Sequence, residues 1–237
     1  MKNMVKKLVH AAIMLLFSTL LQAQPGPRAQ LPDVVPPPQR FATSTAHYEY
    51  LYNTHNGGTS HSYDSVPKWE GLWSAQGNNS GNQLFLESLD GSPIGPFGEG
   101  ENVVIKKGVL TPEYEAAFQY RRDLGVDYDR LTSCEPAGMP RWLLEPYVRE
   151  FINTPTQSWW TNDLGNDTRR IYINQEHKNI DGTHSSTGDS IGFWDGNKLI
   201  IHTKFLRPAD FTRWSPMTSN QLELVETWEF KEFDDFP

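Results

Sequence analysis

Gly188-Asp189-Ser190-Ile191-Gly192-Phe193-Trp194-Asp195-Gly196-Asn197-Lys198-Leu199-Ile200-Ile201-His202-Thr203 is the stretch that decides the fold. Its first five residues match G-x-S-x-G, the pattern of a nucleophile elbow, which needs a strand before the serine and a helix after it. The flanks predict neither. A polar loop, Asp181 to Thr187, comes first. A short apolar strand, an Asp195-Gly196 turn and a β-branched strand follow, which is the pattern of a β-hairpin with a type I′ turn. The only histidine after Ser190 is His202, and Asp195, in the turn, cannot orient it, so a serine–histidine–acid relay fails on geometry. The expected role of Asp189 and Ser190 is to bond loop backbone. Gly188 and Gly192 are expected to permit tight turns.

The same grammar extends outward. Pro146 to Asn153, Gln157 to Thr161, Arg169 to Asn174, Ser190 to Trp194, Lys198 to Phe205 and Leu222 to Phe230 are short, β-branched or aromatic, and separated by Gly, Asn, Asp and Pro. Alternation puts Arg170, Tyr172 and Asn174 on one side of their strand and Ile171 and Ile173 on the other. Leu222, Leu224, Glu226, Trp228 and Phe230 share a face of the last strand, with Glu223 on the polar side. Glu226 is thus a carboxylate in an apolar stripe. Trp159 and Trp160 must point to opposite faces. One helix is well signalled at about 111–124: Thr111 caps it, Pro112 opens it, Glu113 and Glu115 suit its positive end, and Gly125 stops it. Tyr114, Ala117, Phe118, Arg121 and Leu124 form its expected packing face. The predicted fold class is mainly β: an antiparallel barrel with that one amphipathic helix.

Before this body, Lys2, Lys6 and Lys7 precede an apolar run from Leu8 to Leu21, the pattern of a signal peptide over 1–23. The run is too short for a comfortable membrane span. Six prolines between Pro25 and Pro38 mark residues 24–40 as a stiff tether. Residues 41–66 form a polar segment carrying His47, His55 and His61. Phe41 to Tyr52 fits helix or strand, with helix preferred, and Asn53 to Asp64 is loop. The barrel domain is assigned to 67–237. The sequence has 21 basic and 29 acidic residues. Removing residues 1–23 leaves 18 against 29, a net charge of −11. Such a balance disfavours nucleic acid and anionic membranes. Cys134 is the only cysteine, so no internal disulfide forms; it is expected as a small buried residue.

The blocks Cys134-x-Pro136-x-Gly138-Met139-Pro140-Arg141, Arg169-Arg170-Ile171-Tyr172 and Gly188-Asp189-Ser190-Ile191-Gly192-x-Trp194-Asp195-Gly196-Asn197-x-Leu199, with Glu226 in a closing strand, resemble a family of mostly uncharacterised exported bacterial proteins. The resemblance runs from about Trp69 to Phe230. It implies a lipocalin-like barrel and no particular reaction. Gly71-Leu72-Trp73 is also similar to the first lipocalin strand. The chain departs from the family at His202, where members tend to carry an acid, and at Phe193, where they often carry His.

Three chemistries are open to these residues. Glu226, His202 and Arg170 could project into the barrel among Tyr172, Trp194 and Trp228, giving a polar pocket in which a desolvated carboxylate exchanges protons. The alternative is a Glu–Arg pair that merely closes the barrel. His177, His184, Asp189, His202 and Glu226 are metal-ligand types without metal-ligand spacing, so a divalent metal is a minor expectation and no organic cofactor is expected. The leading expectation is a periplasmic or secreted protein holding a small apolar or aromatic molecule, with Arg170, Tyr172, Trp194 and Trp228 as ligand-binding residues. The other is a cofactor-independent acid–base enzyme (lyase, isomerase, dehydratase or hydrolase) with Glu226, His202 and Asp189 as catalytic groups.

Overall fold

The quoted hairpin forms as two seven-residue strands, β6 (Asp189–Asp195) and β7 (Lys198–Lys204), paired in register from Asp189 opposite Lys204 to Asp195 opposite Lys198. The two loop residues are Gly196 and Asn197, and only Gly196 has positive φ, at 58°. That is the type II′ signature rather than the expected I′. In a computed structural model of the chain, the described residues are 39–74, 82–95, 98–125, 129–145, 147–163, 167–212 and 215–230. The signal-peptide region and nearly all of the tether lie outside them.

Around the hairpin runs a curled, six-stranded half-barrel sheet, so the protein is mainly β. Its order follows the chain: β3 (Arg149–Asn153), β4 (Gln157–Asn162), β5 (Asp167–Ile173), β6, β7 and β8 (Leu224–Glu229). All neighbours are antiparallel except β5 and β6, which run parallel. The all-antiparallel expectation is corrected here. Its premise was that a parallel pair needs a helix between its strands, and the crossover at 174–188 manages with loop alone. Among the described residues β3 and β8 are the two edges, so the sheet curls without closing.

A separate two-stranded sheet joins β1 (Leu86–Ser88) and β2 (Val103–Ile105). The helix read from its caps is present over Pro112–Leu124 (α3), with Thr111 Oγ1 accepting from the Tyr114 N–H and Gly125 ending it. Only its Phe118 is buried; that ring packs with Leu86 and Val103. Tyr114, Ala117 and Leu124, expected on the packed face, are exposed. It is not alone. An 11-residue helix, α1 (Ser44–Thr54), precedes it, with one-turn helices α2 (Asn82–Phe85) and α4 (Arg141–Leu144) and a 3-10 turn at Arg130–Ser133. Cys134 ends that turn at φ 58° and is exposed, contrary to the buried reading. No described helix is long and apolar enough to cross a membrane.

The concave face is filled by side chains. Trp160, Ile171, Ile173, Trp194, Leu199 and Ile201 from the strands pack against Val66, Trp69, Met139 and Trp142 from outside the sheet. Trp69 therefore serves as a plug; the segment around it makes only an isolated bridge, Trp73 to Arg149, instead of a first barrel strand. Gly192 belongs to this packing and not to a turn. A Cβ there would lie 2.7 Å from the Ile200 carbonyl. Gly188 does have positive φ, at 68°.

Within this face sits a buried ion pair. Arg169, fully buried, sends Nη2 and Nη1 to the two carboxylate oxygens of Glu226 at 2.5 and 3.0 Å. It also donates to Ser190 Oγ at 3.2 Å and Thr203 Oγ1 at 2.6 Å, and its guanidinium lies 5.0 Å from the Trp160 ring. Ser190 is thus a fully buried partner of a guanidinium and of the Thr203 hydroxyl, rather than of loop backbone as expected. Removing one member of such a pair strands the other charge, which typically costs about 3–5 kcal/mol. Glu226→Ala is therefore expected to lower the unfolding free energy by about that much in urea titrations, and Arg169→Met with Glu226→Leu to recover most of the loss.

Candidate functional site

The sheet's outer face is covered where β6 and β7 meet α1. Thr43 caps that helix, its hydroxyl accepting from the Ala46 N–H at 3.1 Å. Tyr48 then packs against Phe193, with ring centroids 5.6 Å apart, and stacks on His202 at 5.3 Å. Tyr48, Ile191, Phe193 and Ile200 form a second apolar cluster, flanked by Leu51, Tyr52 and Val225. This double cover explains why β6 and β7 are almost wholly buried.

Beside this cluster is a pocket of about 380 Å³, walled by Tyr48, Tyr52 and Ile191, with His177 and His202 among its lining residues. His177 comes from the β5–β6 crossover, His202 from β7. Their rings meet edge to face, with His177 Nε2 3.2 Å from His202 Nδ1. Each ring is held at its other nitrogen. Asp189 Oδ2 lies 3.2 Å from His177 Nδ1, and also accepts the Asn179 N–H at 2.9 Å. Ser44 Oγ lies 2.8 Å from His202 Nε2 and hydrogen-bonds to Glu223. The result is one line of contacts: Asp189, His177, His202, Ser44, Glu223.

Burial pushes the His202 imidazole down to about 4, with His177 and Lys204 acting in the same direction and Glu223 opposing. Burial also lowers His177, against the pull of Asp189. Tyr48 is pushed up by burial.

The expected site residues divide between the two faces. Ile201 opposes Glu226 and His202 opposes Val225, so Glu226 points inward and His202 outward. Arg170 also points outward, its guanidinium 3.7 Å over the exposed-side Trp159 ring. Arg170, His202 and Glu226 therefore do not converge; the arginine that meets Glu226 is Arg169. Trp194 is fully buried in the inner core and Trp228 packs against that core. Arg170 and Tyr172 line a wider groove of about 630 Å³ on the outer face with Trp159 and Lys178. Asp189 and His202 do share a site, through His177. His184 lies apart, its Nδ1 3.0 Å from the Leu206 carbonyl. Among the described residues no group of three or more His, Cys, Asp or Glu is arranged to hold a metal.

Sequence reasoning missed Ser44 and Glu223 as members and had His177 only as a metal-ligand type. No local pattern marks Ser44, which is 158 positions from His202. No family model, curated protein or solved structure matches this chain.

A depressed histidine makes stability depend on pH. Below about 6.5 the unfolded chain protonates its histidines, while folded His202 stays neutral down to about 4. The unfolded state then binds more protons, so stability falls as pH drops through that window. His202→Gln is expected to flatten the decline by up to about 3 kcal/mol, since each tenfold difference in proton affinity between the two states is worth about 1.4 kcal/mol. Urea midpoints measured across the window read the change.

Proposed function

We propose that this protein is an exported, periplasmic or secreted, binder of a small apolar or aromatic molecule, and that the ligand lodges between α1 and the outer face of β6–β7. The observation that carries this reading is the 380 Å³ pocket with its two tyrosine walls and the histidines at its margin. Its size falls in the range of small-molecule sites, and its Tyr48, Tyr52 and Ile191 walls stand among polar side chains that include Thr45, Glu49, Glu176 and Lys204. A lipocalin-like protein would hold its ligand inside the barrel; here tryptophans occupy that space, which favours the outer pocket. The charged start and apolar run of residues 1–23, and the resemblance to exported bacterial proteins, support the location.

A second reading is an acid–base enzyme at the same pocket. It is favoured by the Asp189–His177 contact, a carboxylate–imidazole pair of the kind that tunes a general base.

Indole is a suitable probe. Thr45, on the helix side of the pocket, can be enlarged without removing a core group. Thr45→Phe is expected to weaken indole binding by about tenfold or more in calorimetry, the scale set by losing one good apolar contact surface. Undiminished binding would place the ligand elsewhere. A substrate turned over by the wild type but not by Asp189→Asn, with indole binding retained, would select the enzyme.

A further inference from the structure

The groove of about 630 Å³ is walled by the outer face of β4–β5 and by the crossover, and it shares no lining residue with the pocket beside α1. Alternation sends Trp160, Arg169 and Ile171 into the core and leaves Trp159, Arg170 and Tyr172 on the groove side. Trp159 and Arg170 are directly opposed in the β4–β5 register. The guanidinium carbon of Arg170 lies 3.7 Å from the centre of the Trp159 ring, and its Nη1 donates to Tyr172 Oη at 3.4 Å. Lys178, from the crossover, holds its ammonium 5.4 Å from the centre of the same Tyr172 ring. Two cations thus flank one phenol.

Neither cation has a carboxylate within ion-pair distance among the described residues. In a chain of 29 acidic and 21 basic residues, aromatic rings steady them instead. Stacking uses the flat of a guanidinium and leaves its N–H edge open. Of the five donors of Arg170, only the one to Tyr172 is engaged. That edge fits a carboxylate through two parallel hydrogen bonds.

The rest of the lining is polar. The hydroxyls of Thr168 and Thr187 make no hydrogen bond to another described residue. Ile180 is the one aliphatic residue of the lining, so an apolar ligand gains little here. Asp189 is buried and already bonded to His177 and the Asn179 N–H. Asp181 is exposed. It repels a bare anion but accepts from a ligand hydroxyl. The volume suits an organic molecule rather than a bare ion.

We propose that this groove binds an acidic sugar, a hydroxylated ring bearing a carboxylate. The carboxylate sits on Arg170 and Lys178, and the ring hydroxyls meet Thr168, Thr187 and Asp181. Trp159 and Tyr172 hold the two cations in place before the ligand arrives, which lowers the ordering cost of binding. The site is separate from that of the apolar molecule and stands whether or not that molecule binds.

Trigalacturonic acid is a suitable probe. Its methyl ester keeps the ring hydroxyls and removes the charge. Calorimetry on the full chain is expected to show binding of the acid and binding weaker by about tenfold or more for the ester, the scale of losing a charge-assisted hydrogen bond. Arg170→Gln and Lys178→Gln are each expected to weaken the acid by about tenfold. Both side chains are exposed, so unchanged urea midpoints are expected, and Lys178→Gln carries the test should Arg170→Gln unfold. Sulfate is the third arm and is expected to bind far more weakly than the trisaccharide. Sulfate as tight as the trisaccharide overturns the sugar, and an ester as tight as the acid overturns the role of charge. No binding of the acid at millimolar concentration, or binding indifferent to both substitutions, overturns the site.

Discussion

One guanidinium ties the sheet together. Arg169 leaves β5, bonds Ser190 on β6, Thr203 on β7 and Glu226 on β8, and stacks against Trp160 of β4. A single fully buried side chain thus touches four strands beyond its own. A buried ion pair is weak evidence for net stability, since hydrophobic residues of similar volume often do as well. Its better-attested use is to fix register. Here its partners lie on strands joined by the two long connections of the sheet, 174–188 between β5 and β6 and 205–223 between β7 and β8.

The parallel step from β5 to β6 builds the site. A hairpin between β5 and β6 would have left only a few linking residues. The parallel arrangement requires a crossover long enough to return to the start of the sheet, and His177 and Asn179 ride on it to reach Asp189. The inner and outer faces then take different work. Tryptophans and the Arg169–Glu226 pair fill the concave side, while the outer side carries α1, the pocket and the histidines.

Much of this was legible where the cause is local. The β6–β7 hairpin follows from an apolar run and a β-branched run about a glycine turn, and α3 from its caps and proline. Glu226 stood out as a carboxylate in an apolar stripe, and an arginine did meet it. The assigned partner was off by one: alternation already placed Arg170 with Tyr172, away from Ile171, which puts Arg169 on the core side. What was not legible depends on distance in the chain. Nothing near Ser44 refers to His202 or Glu223, and nothing near Trp69 announces a plug for a sheet that begins at Arg149. The crossover reads as ordinary polar loop, so its parallel geometry left no mark on periodicity.

α1 lies near one end of the described chain, and the surface it covers is made by β6, β7 and the residues leading into β8 near the other. The helix is synthesised before the surface it covers, and domains generally fold as units once their parts are available. The helix must wait, its tyrosines uncovered, until nearly all of the sheet has been made. A fragment ending before β7 would keep Ile191 and Phe193 beneath the helix but lack His202, the second histidine of the pocket.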